Sequence, residues 1–136
     1  MRVTVHRKAH FNAAHRLYRK DWSFEKNDEI FGKCNNPNFH GHNYELIVSV
    51  TGDIDKDTGY VIDMKILKEI IKSEVEDAFD HKNLNVEVPE FKDLNPTAEN
   101  IVVVIYNKIK PKLHSDFDLK ITLYETPRNF VTYSGK

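Results

Sequence analysis

His40 and His42, which flank Gly41, are the residues of this chain best suited to bind a metal ion. In a β-strand, residues two apart point to the same face, so both imidazole rings would project side by side. His15 shares the parity of the apolar residues in an earlier alternating segment. Three neutral imidazoles from neighbouring strands would provide the nitrogen ligands of a catalytic zinc (Zn²⁺) site and leave one coordination position open. Magnesium and calcium would be disfavoured because they prefer oxygen ligands.

These histidines also have an ordinary interpretation. The chain holds seven histidines, so about 0.35 His-x-His pairs are expected by chance, and the pair alone is weak support. A single histidine that faces a core is more often hydrogen-bonded to protein than bound to a metal. We interpret His6, His10 and His114 in this way, as strand or surface residues.

Cys34 lies six residues before His40, in a polar segment that Asn35 and Asn36 mark as turned. An inert core cysteine does not suit these polar neighbours. As a fourth ligand, the sulfur would close the site, which is typical of structural zinc. As a free thiolate, it would be a base beside an open Lewis acid. The residues alone leave both interpretations open.

Asp80 and His81 form a second candidate group at the end of a predicted helix. A carboxylate beside an imidazole can fix its tautomer and let it relay protons. The alternative is a histidine that is favoured at a helix C-terminus by the helix dipole.

Glu125 has the parity of an apolar row on a predicted strand. A carboxylate there should lie at the strand end or have a partner, because burying it alone is costly. Its geometry suits a flat pair of donors, such as a guanidinium or the N–H and amino groups of a guanine-like ring. An ion pair with Arg128 across the following turn is the alternative.

Alternating apolar and polar residues predict two pairs of strands. The predicted strands are Val3–Leu17, His40–Thr51, Leu119–Glu125 and Phe130–Tyr133. Between the first two, residues 18–38 are polar and turn-forming, which predicts a loop with a short helical turn near Trp22 to Lys26.

A period of 3.6 residues predicts one helix from about Met64 to Phe79, with Asp63 as its N-cap. A second helix is predicted to begin near Pro96-Thr97, since proline is tolerated at the first helical position. The order of elements predicts a single α+β domain over residues 1–136, with a four-stranded antiparallel sheet and two helices on one face. Open sheet edges are usually covered or paired, so we also expect an oligomer.

Charge and composition exclude several classes of protein. The 136 residues include 20 Lys plus Arg and 21 Asp plus Glu, which gives no electrostatic case for nucleic acid or an anionic membrane. The longest apolar run, Ile101–Tyr106, is too short to span a bilayer. The first residues lack the apolar region of a signal peptide. With one cysteine no internal disulfide can form, so we expect a reducing cytoplasm.

Five segments together resemble the 6-pyruvoyl-tetrahydropterin synthase family, which includes the 6-carboxy-tetrahydropterin synthases. They are Ala14-His15-Arg16-Leu17, the run from Cys34 to Tyr44, Asp80-His81-Lys82-Asn83-Leu84, Thr97-Ala98-Glu99-Asn100 and Tyr124-Glu125-Thr126. The segments occur in order along nearly the whole chain, so coincidence is a poor explanation.

The resemblance implies the tunnelling fold, in which such sheets join into a barrel, and a hexamer of two trimers with active sites at subunit interfaces. It implies that 7,8-dihydroneopterin triphosphate is the substrate. The implied residue roles are zinc ligands at His15, His40 and His42, a general base at Cys34, its proton-relay partners at Asp80 and His81, and pterin-binding groups at Glu125, Thr97 and Glu99.

The resemblance leaves two reaction products open. Five residues separate Cys34 from His40, the spacing of members that form 6-pyruvoyl-tetrahydropterin with loss of triphosphate. A sister group releases acetaldehyde and makes 6-carboxy-tetrahydropterin on the route to queuosine and related deazapurines. Phe39 replaces a glycine often found in the family, and Ala98 replaces a common threonine. A non-catalytic zinc- or pterin-binding protein is an alternative of another class. By charge alone, the candidates to bind the triphosphate are Lys33, Arg16 and Arg128.

Overall fold

Five strands form one sheet in the computed structural model, which describes all residues from Met1 to Lys136. The strands are β1 (Arg2–His15), β2 (His40–Asp53), β3 (Lys82–Asn83), β4 (Asp118–Tyr124) and β5 (Phe130–Tyr133). Their order across the sheet is β3-β1-β2-β4-β5. The antiparallel register of β1 and β2 runs from the pair Arg2 and Asp53 to the pair His15 and His40. The two predicted metal-binding segments therefore meet where these strands end and begin.

The predicted four-stranded antiparallel sheet is wrong by one strand. β3 is only two residues long and runs parallel to β1, pairing Lys82 with Ala13 and Asn83 with Ala14. Two residues cannot show the alternation by which a strand is recognised in a sequence. The remaining pairings, β1 with β2, β2 with β4 and β4 with β5, are antiparallel as predicted.

The helices are α1 (Phe24–Phe31), α2 (Met64–Ile71), α3 (Asp77–Phe79), α4 (Leu84–Glu87) and α5 (Ala98–Ile109). A π-helical turn, Lys72–Glu76, joins α2 to α3, so helical structure covers the whole predicted range from Met64 to Phe79. Asp63 caps α2 by accepting a hydrogen bond from the Lys65 amide at 2.9 Å. None of the helices is long and apolar enough to cross a bilayer.

The second predicted helix, α5, begins at Ala98, just after the predicted start near Pro96-Thr97. Its N-cap is Thr97, whose hydroxyl oxygen accepts from the Asn100 amide at 3.2 Å, so Pro96 lies outside the helix. α2 and α5 bury their apolar stripes against one face of the sheet, in a core of twenty buried apolar residues. Phe11 of β1 and Tyr44 of β2 belong to this core and stack with ring centroids 4.8 Å apart. The prediction of two helices on one sheet face is confirmed.

The segment 18–38 holds more structure than the predicted loop. α1 is eight residues long, is capped by Ser23, and leads into a 3₁₀ turn, Gly32–Asn35. Buried Asn27 holds it in place: its side-chain amide donates to the main-chain oxygen of Arg19, and its Oδ1 accepts from the Arg19 amide at 2.7 Å. A helix fixed by one polar side chain lacks the broad apolar stripe that a sequence pattern reveals. This segment delivers Cys34 to the end of β1.

Candidate active site

His15, His40 and His42 converge at the joined ends of β1 and β2. Their ring centroids lie 4.5 Å apart for His15 and His40, 5.1 Å for His15 and His42, and 5.0 Å for His40 and His42. One nitrogen from each ring lies within 4.8 Å of the other two. In a tetrahedral zinc site, neighbouring ligand nitrogens are roughly 3.4 Å apart. Small rotations of the rings would therefore bring all three to one metal ion.

Two nitrogens of this cluster are buried without a hydrogen-bond partner, His15 Nε2 and His40 Nδ1. A buried polar atom left unsatisfied costs about 1–3 kcal/mol, so such atoms are rare in folded proteins. A metal ion between the rings would satisfy both. The donor set, three neutral imidazoles and no carboxylate, fits zinc better than magnesium or calcium. The residues present therefore fit a bound zinc ion.

The ring of His15 is held by groups behind the cluster. Its Nδ1 lies 2.7 Å from the main-chain oxygen of Pro96, to which it donates, so Nε2 is left free on the side of the other histidines. The Tyr44 hydroxyl lies 3.4 Å from the same Nδ1. Burial lowers the pKa of His15 to about 4, and the neighbouring His40 and His42 act in the same direction. A neutral, oriented imidazole is the form that binds metal.

The pKa of His40 is also lowered, mainly by burial and then by the charge of His42, while the carboxylate of Glu125 opposes the shift. The pKa of Tyr44 is raised by burial and by the same carboxylate. Both side chains are therefore neutral near pH 7. These shifts also show that the charge of Glu125 acts on the histidine cluster.

Cys34 faces the cluster from the 3₁₀ turn after α1. The thiol is free and half-buried. It lines a cavity of about 880 Å³ together with His40, His42, Lys33 and Glu125. Cys34 does not belong to the group of mutually close ligand atoms, which is formed by the three histidines alone. This placement favours a free thiol beside the cluster over a fourth ligand.

Glu125 follows β4 directly and lies between two cavities. It lines the Cys34 cavity and a second one of about 420 Å³, which also includes Thr97, Glu99 and Arg128. The alternative ion pair with Arg128 does not form. A tight turn holds the residue, since its amide donates to the main-chain oxygen of Asn129 at 3.0 Å. Its carboxylate is thus available to accept two parallel N–H bonds from a flat ring.

Thr97 and Glu99 lie beside Glu125 in the second cavity, not in the cavity of the thiol. The Thr97 hydroxyl already caps α5. Glu99 is exposed in the first turn of that helix. The structure therefore places both predicted pterin-binding residues next to Glu125, on the side away from Cys34.

Asp80 and His81 lie apart from both cavities. Asp80 Oδ1 accepts from the Asn12 amide at 2.8 Å, and the His81 amide donates to the Asn12 oxygen at 2.6 Å. The carboxylate lies 3.0 Å from His81 Nδ1, whose side chain is 83% exposed. The Asn12 amide, and then His81, lower the pKa of Asp80. Within one chain, the predicted relay pair is assembled but does not meet the predicted base.

Several residues of the site carried no signal in the sequence. Pro96 acts through its main-chain oxygen, so its side-chain type reveals nothing about that role. Phe24 and Asp28 line the Cys34 cavity from α1. The sequence predicted only a short helical turn near Trp22 to Lys26, which overlaps the start of this helix. Tyr44 is a buried core residue, and its contact with His15 depends on the β1–β2 register.

Comparison with known proteins gives a consistent result. A family model described as 6-pyruvoyl tetrahydropterin synthase matches residues 4–136. The 6-pyruvoyl tetrahydrobiopterin synthase of Homo sapiens is 44% identical over 132 residues, which cover 97% of this chain and 91% of the human protein. The structure of Caenorhabditis elegans 6-pyruvoyl tetrahydropterin synthase matches with a TM-score of 0.93 and 41% identity, over 100% of this chain and 97% of that one.

A more distant relative carries another name. The 6-carboxy-5,6,7,8-tetrahydropterin synthase of Rickettsia felis is 32% identical over 127 residues, which cover 79% of this chain and 92% of the relative. The resemblance drawn from the five sequence segments is thus confirmed over almost the whole chain. The protein is a member of the 6-pyruvoyl tetrahydropterin synthase family.

Proposed function

We propose that the protein is a zinc-dependent lyase that converts 7,8-dihydroneopterin triphosphate to 6-pyruvoyl-tetrahydropterin with loss of triphosphate. The observation that carries this proposal is one cavity in which a free thiol, two imidazoles of a three-histidine cluster and an unpaired carboxylate face each other. Family membership supports an enzymatic role, and the name of the human relative supports the pyruvoyl product.

His15, His40 and His42 would hold the zinc ion, His15 through Nε2 because Nδ1 is bonded to Pro96. A bound zinc ion supplies a Lewis acid that makes hydroxyl groups and adjacent C–H bonds of a substrate more acidic. The burial of His15 and the lowered pKa of His40 keep these rings neutral, so protons do not compete with the metal near pH 7.

Cys34, as a thiolate, would remove a proton from a side-chain carbon of the substrate, and a proton would return at the pterin ring. The ring keeps the reducing equivalents that the side chain loses, so no redox cofactor is needed. Expulsion of triphosphate completes the 6-pyruvoyl product. A reducing compartment such as the cytoplasm would keep this single thiol free.

Glu125 would bind the pterin ring by accepting hydrogen bonds from its N–H and amino groups. Its carboxylate is half-buried, lacks an ion-pair partner and borders the thiol cavity, all of which support this role. Thr97 and Glu99, in the adjoining cavity, would contact the far side of the ring.

The protein would act as an oligomer, a hexamer of two trimers, in which a neighbouring subunit brings Asp80 and His81 to Cys34. Two observations support this. At the edge of the sheet, His81 is exposed and Asp80 is partly exposed, and neither lines the cavity of its own chain. Both edges of the sheet are also open: β5 has one neighbour, and β3 covers only Ala13 and Ala14 of β1. Open edges favour pairing with another chain.

A turnover assay tests the proposal. Purified protein is incubated with 7,8-dihydroneopterin triphosphate, with and without a chelator, and the products are analysed by mass spectrometry. We expect 6-pyruvoyl-tetrahydropterin and triphosphate, and loss of turnover in the chelator. Cys34→Ala should keep zinc and lose turnover. Release of acetaldehyde would instead identify a 6-carboxy-tetrahydropterin synthase, the activity named for the Rickettsia felis relative.

The non-catalytic alternative predicts binding of zinc and pterin without turnover by the wild-type protein. A structural zinc site with Cys34 as fourth ligand predicts a sulfur–metal bond in the resting protein. X-ray absorption at the zinc edge measures this directly, and a sulfur scatterer near 2.3 Å, the typical Zn–S distance, would contradict the proposed role of Cys34 as base.

A further inference from the structure

The guanidinium of Arg16 joins the metal-binding strand to the turn that carries the thiol. Arg16 follows His15, and Asn35 follows Cys34. Arg16 Nε lies 2.9 Å from the main-chain oxygen of Asn35 and 3.2 Å from its Oδ1, while Nη2 lies 3.0 Å from the same Oδ1. Asn35 is 2% exposed. A half-buried planar cation thus holds a buried amide through three hydrogen bonds.

A main-chain bond reinforces this contact, since the Leu17 amide donates to the Cys34 oxygen at 2.8 Å. The strand ladder of β1 and β2 ends at His15 and His40. The hydrogen bonds of Arg16 and Leu17 therefore fix the chain that follows β1 against the turn that carries Cys34. They are the hydrogen bonds that join the 3₁₀ turn to the end of β1.

Arg16 is itself fixed on its other sides. The Arg16 amide donates to Asn85 Oδ1 at 2.8 Å, and Asn85 Nδ2 donates to the main-chain oxygen of Arg16 at 2.9 Å. The Tyr18 ring centroid lies 4.0 Å from the guanidinium carbon. No carboxylate pairs with Arg16. An arginine constrained on several sides is a rigid support rather than a mobile surface charge.

We propose that Arg16 is a positioning residue which, through Asn35, fixes the Cys34 sulfur relative to the three-histidine metal centre. The inference rests on the proposed role of Cys34 as the base. It also removes Arg16 from the candidates to bind triphosphate, because two of its three guanidinium nitrogens are already engaged by Asn35. A proton-transferring group is effective only when held within reach of its proton.

Arg16→Lys tests the proposal, because lysine keeps the charge but lacks the planar pair of donors. We expect kcat to fall about 100-fold, the effect of a displacement near 1 Å, while KM and bound zinc stay unchanged. A triphosphate-binding role would instead raise KM. Arg19→Lys is the matched control, since Arg19 forms an exposed ion pair with Asp21 and should leave both constants unchanged.

The alkylation rate of Cys34 by iodoacetamide provides a readout that does not require turnover, and the single cysteine makes it unambiguous. Zinc-loaded Arg16→Lys should react several-fold faster than wild type, because the turn is released. Asn35→Ala should behave in the same way. Asn35→Asp keeps both acceptors of Arg16, the main-chain oxygen and Oδ1, so it should react at the wild-type rate. If Asn35→Ala acted only by lowering the stability of the protein, Asn35→Asp would not be expected to restore the rate.

The two hypotheses fail separately. If the wild-type protein does not convert 7,8-dihydroneopterin triphosphate, the proposed function is wrong and the alkylation rates alone decide whether Arg16 positions the thiol. If Arg16→Lys fails to fold, Asn35→Ala and Asn35→Asp give the same comparison. Equal kcat and equal alkylation rates in wild type, Arg16→Lys and Asn35→Ala would overturn the positioning role.

Discussion

His15 donates its Nδ1 hydrogen to the main-chain oxygen of Pro96 over 2.7 Å, and this bond selects the ring nitrogen that faces the other two histidines. Pro96 is buried just before α5, whose first turn is capped by Thr97. The start of α5 thus fixes the Pro96 carbonyl, and this carbonyl in turn orients the His15 imidazole. Loss of a hydrogen bond that orients a metal-binding histidine typically weakens metal binding about 10- to 100-fold.

Loss of a cluster histidine should greatly weaken metal binding without unfolding the chain. We expect His42→Ala to bind zinc at least about 100-fold more weakly than wild type, since removing a ligand costs more than removing its support. His114→Ala is the matched control, because His114 lies outside the cluster. Competition with a chromogenic chelator measures both affinities. Equal zinc affinity in His42→Ala and wild type would exclude His42 as a ligand.

The metal-free protein should lose stability as the pH falls from about 6.5 to about 4. Burial lowers the pKa of His15 to about 4 from its ordinary 6.5. In this window the unfolded chain binds a proton that the folded chain does not, so acid favours unfolding. The full shift corresponds to about 3 kcal/mol, reached below the folded pKa.

Urea denaturation of chelator-treated protein at several pH values measures this effect. His15→Gln should flatten the profile between pH 6.5 and 4, because glutamine does not titrate. An unchanged pH dependence in that variant would assign the acid sensitivity to another group. Zinc should raise the stability of wild type at pH 7 but not that of His15→Gln, since only wild type keeps all three ligands.

Sequence patterns predicted the long elements and the local pairs. The β1–β2 hairpin, the helix from Met64 and the relation of His40 to His42 follow from periods of two and 3.6 residues, which the backbone dictates. The convergence of His15 on this pair depends on register, and its parity with the apolar row was the signal. These elements were predictable because burial of one face enforces the pattern.

Elements without a long apolar pattern were predicted only in part, as a short turn at the start of α1, or not at all, as for β3. α1 depends on buried Asn27, and β3 consists of two residues. The separation of Asp80 from Cys34 reflects where α3 ends relative to β1, which no local pattern encodes. The resemblance supplied the candidate site residues, whereas the structure showed which of these candidates meet within one chain.

Glu125→Gln should weaken pterin binding while leaving zinc in place. The amide keeps the size of the side chain but loses the negative charge and one acceptor oxygen. One of the two donors on the pterin ring would then lack an acceptor. Hydrogen bonds to a charged group contribute about 1.5–3 kcal/mol, which corresponds to about 10- to 100-fold in affinity. Quenching of pterin fluorescence on titration measures the dissociation constant.

Glu69→Gln, on the exposed side of α2, is the control for loss of one negative charge. It should bind pterin as wild type does. Unchanged pterin affinity in Glu125→Gln would remove the proposed anchoring role, even if turnover were reduced, because turnover also depends on Cys34 and the metal.

Phe39 adopts a backbone conformation that favours glycine. Its φ is 67°, and apart from glycine only His81, with φ 60°, is also positive. Phe39 joins the turn after Cys34 to the first residue of β2, and its amide donates to the Asn36 oxygen at 2.9 Å. This chain therefore carries a side chain at a position whose backbone geometry favours glycine. A left-handed residue with a Cβ costs about 1–2 kcal/mol.

Phe39→Gly and Phe39→Ala separate this backbone strain from the contribution of the ring. Both variants lose the phenyl group, but only glycine relieves the clash of the Cβ at positive φ. We expect Phe39→Gly to be more stable than Phe39→Ala by about 1 kcal/mol, the lower end of the left-handed penalty. Paired urea denaturation curves of the zinc-loaded proteins measure the difference. If alanine were the more stable of the two, the turn would have to relax to negative φ, and His40 would then enter β2 from a different direction.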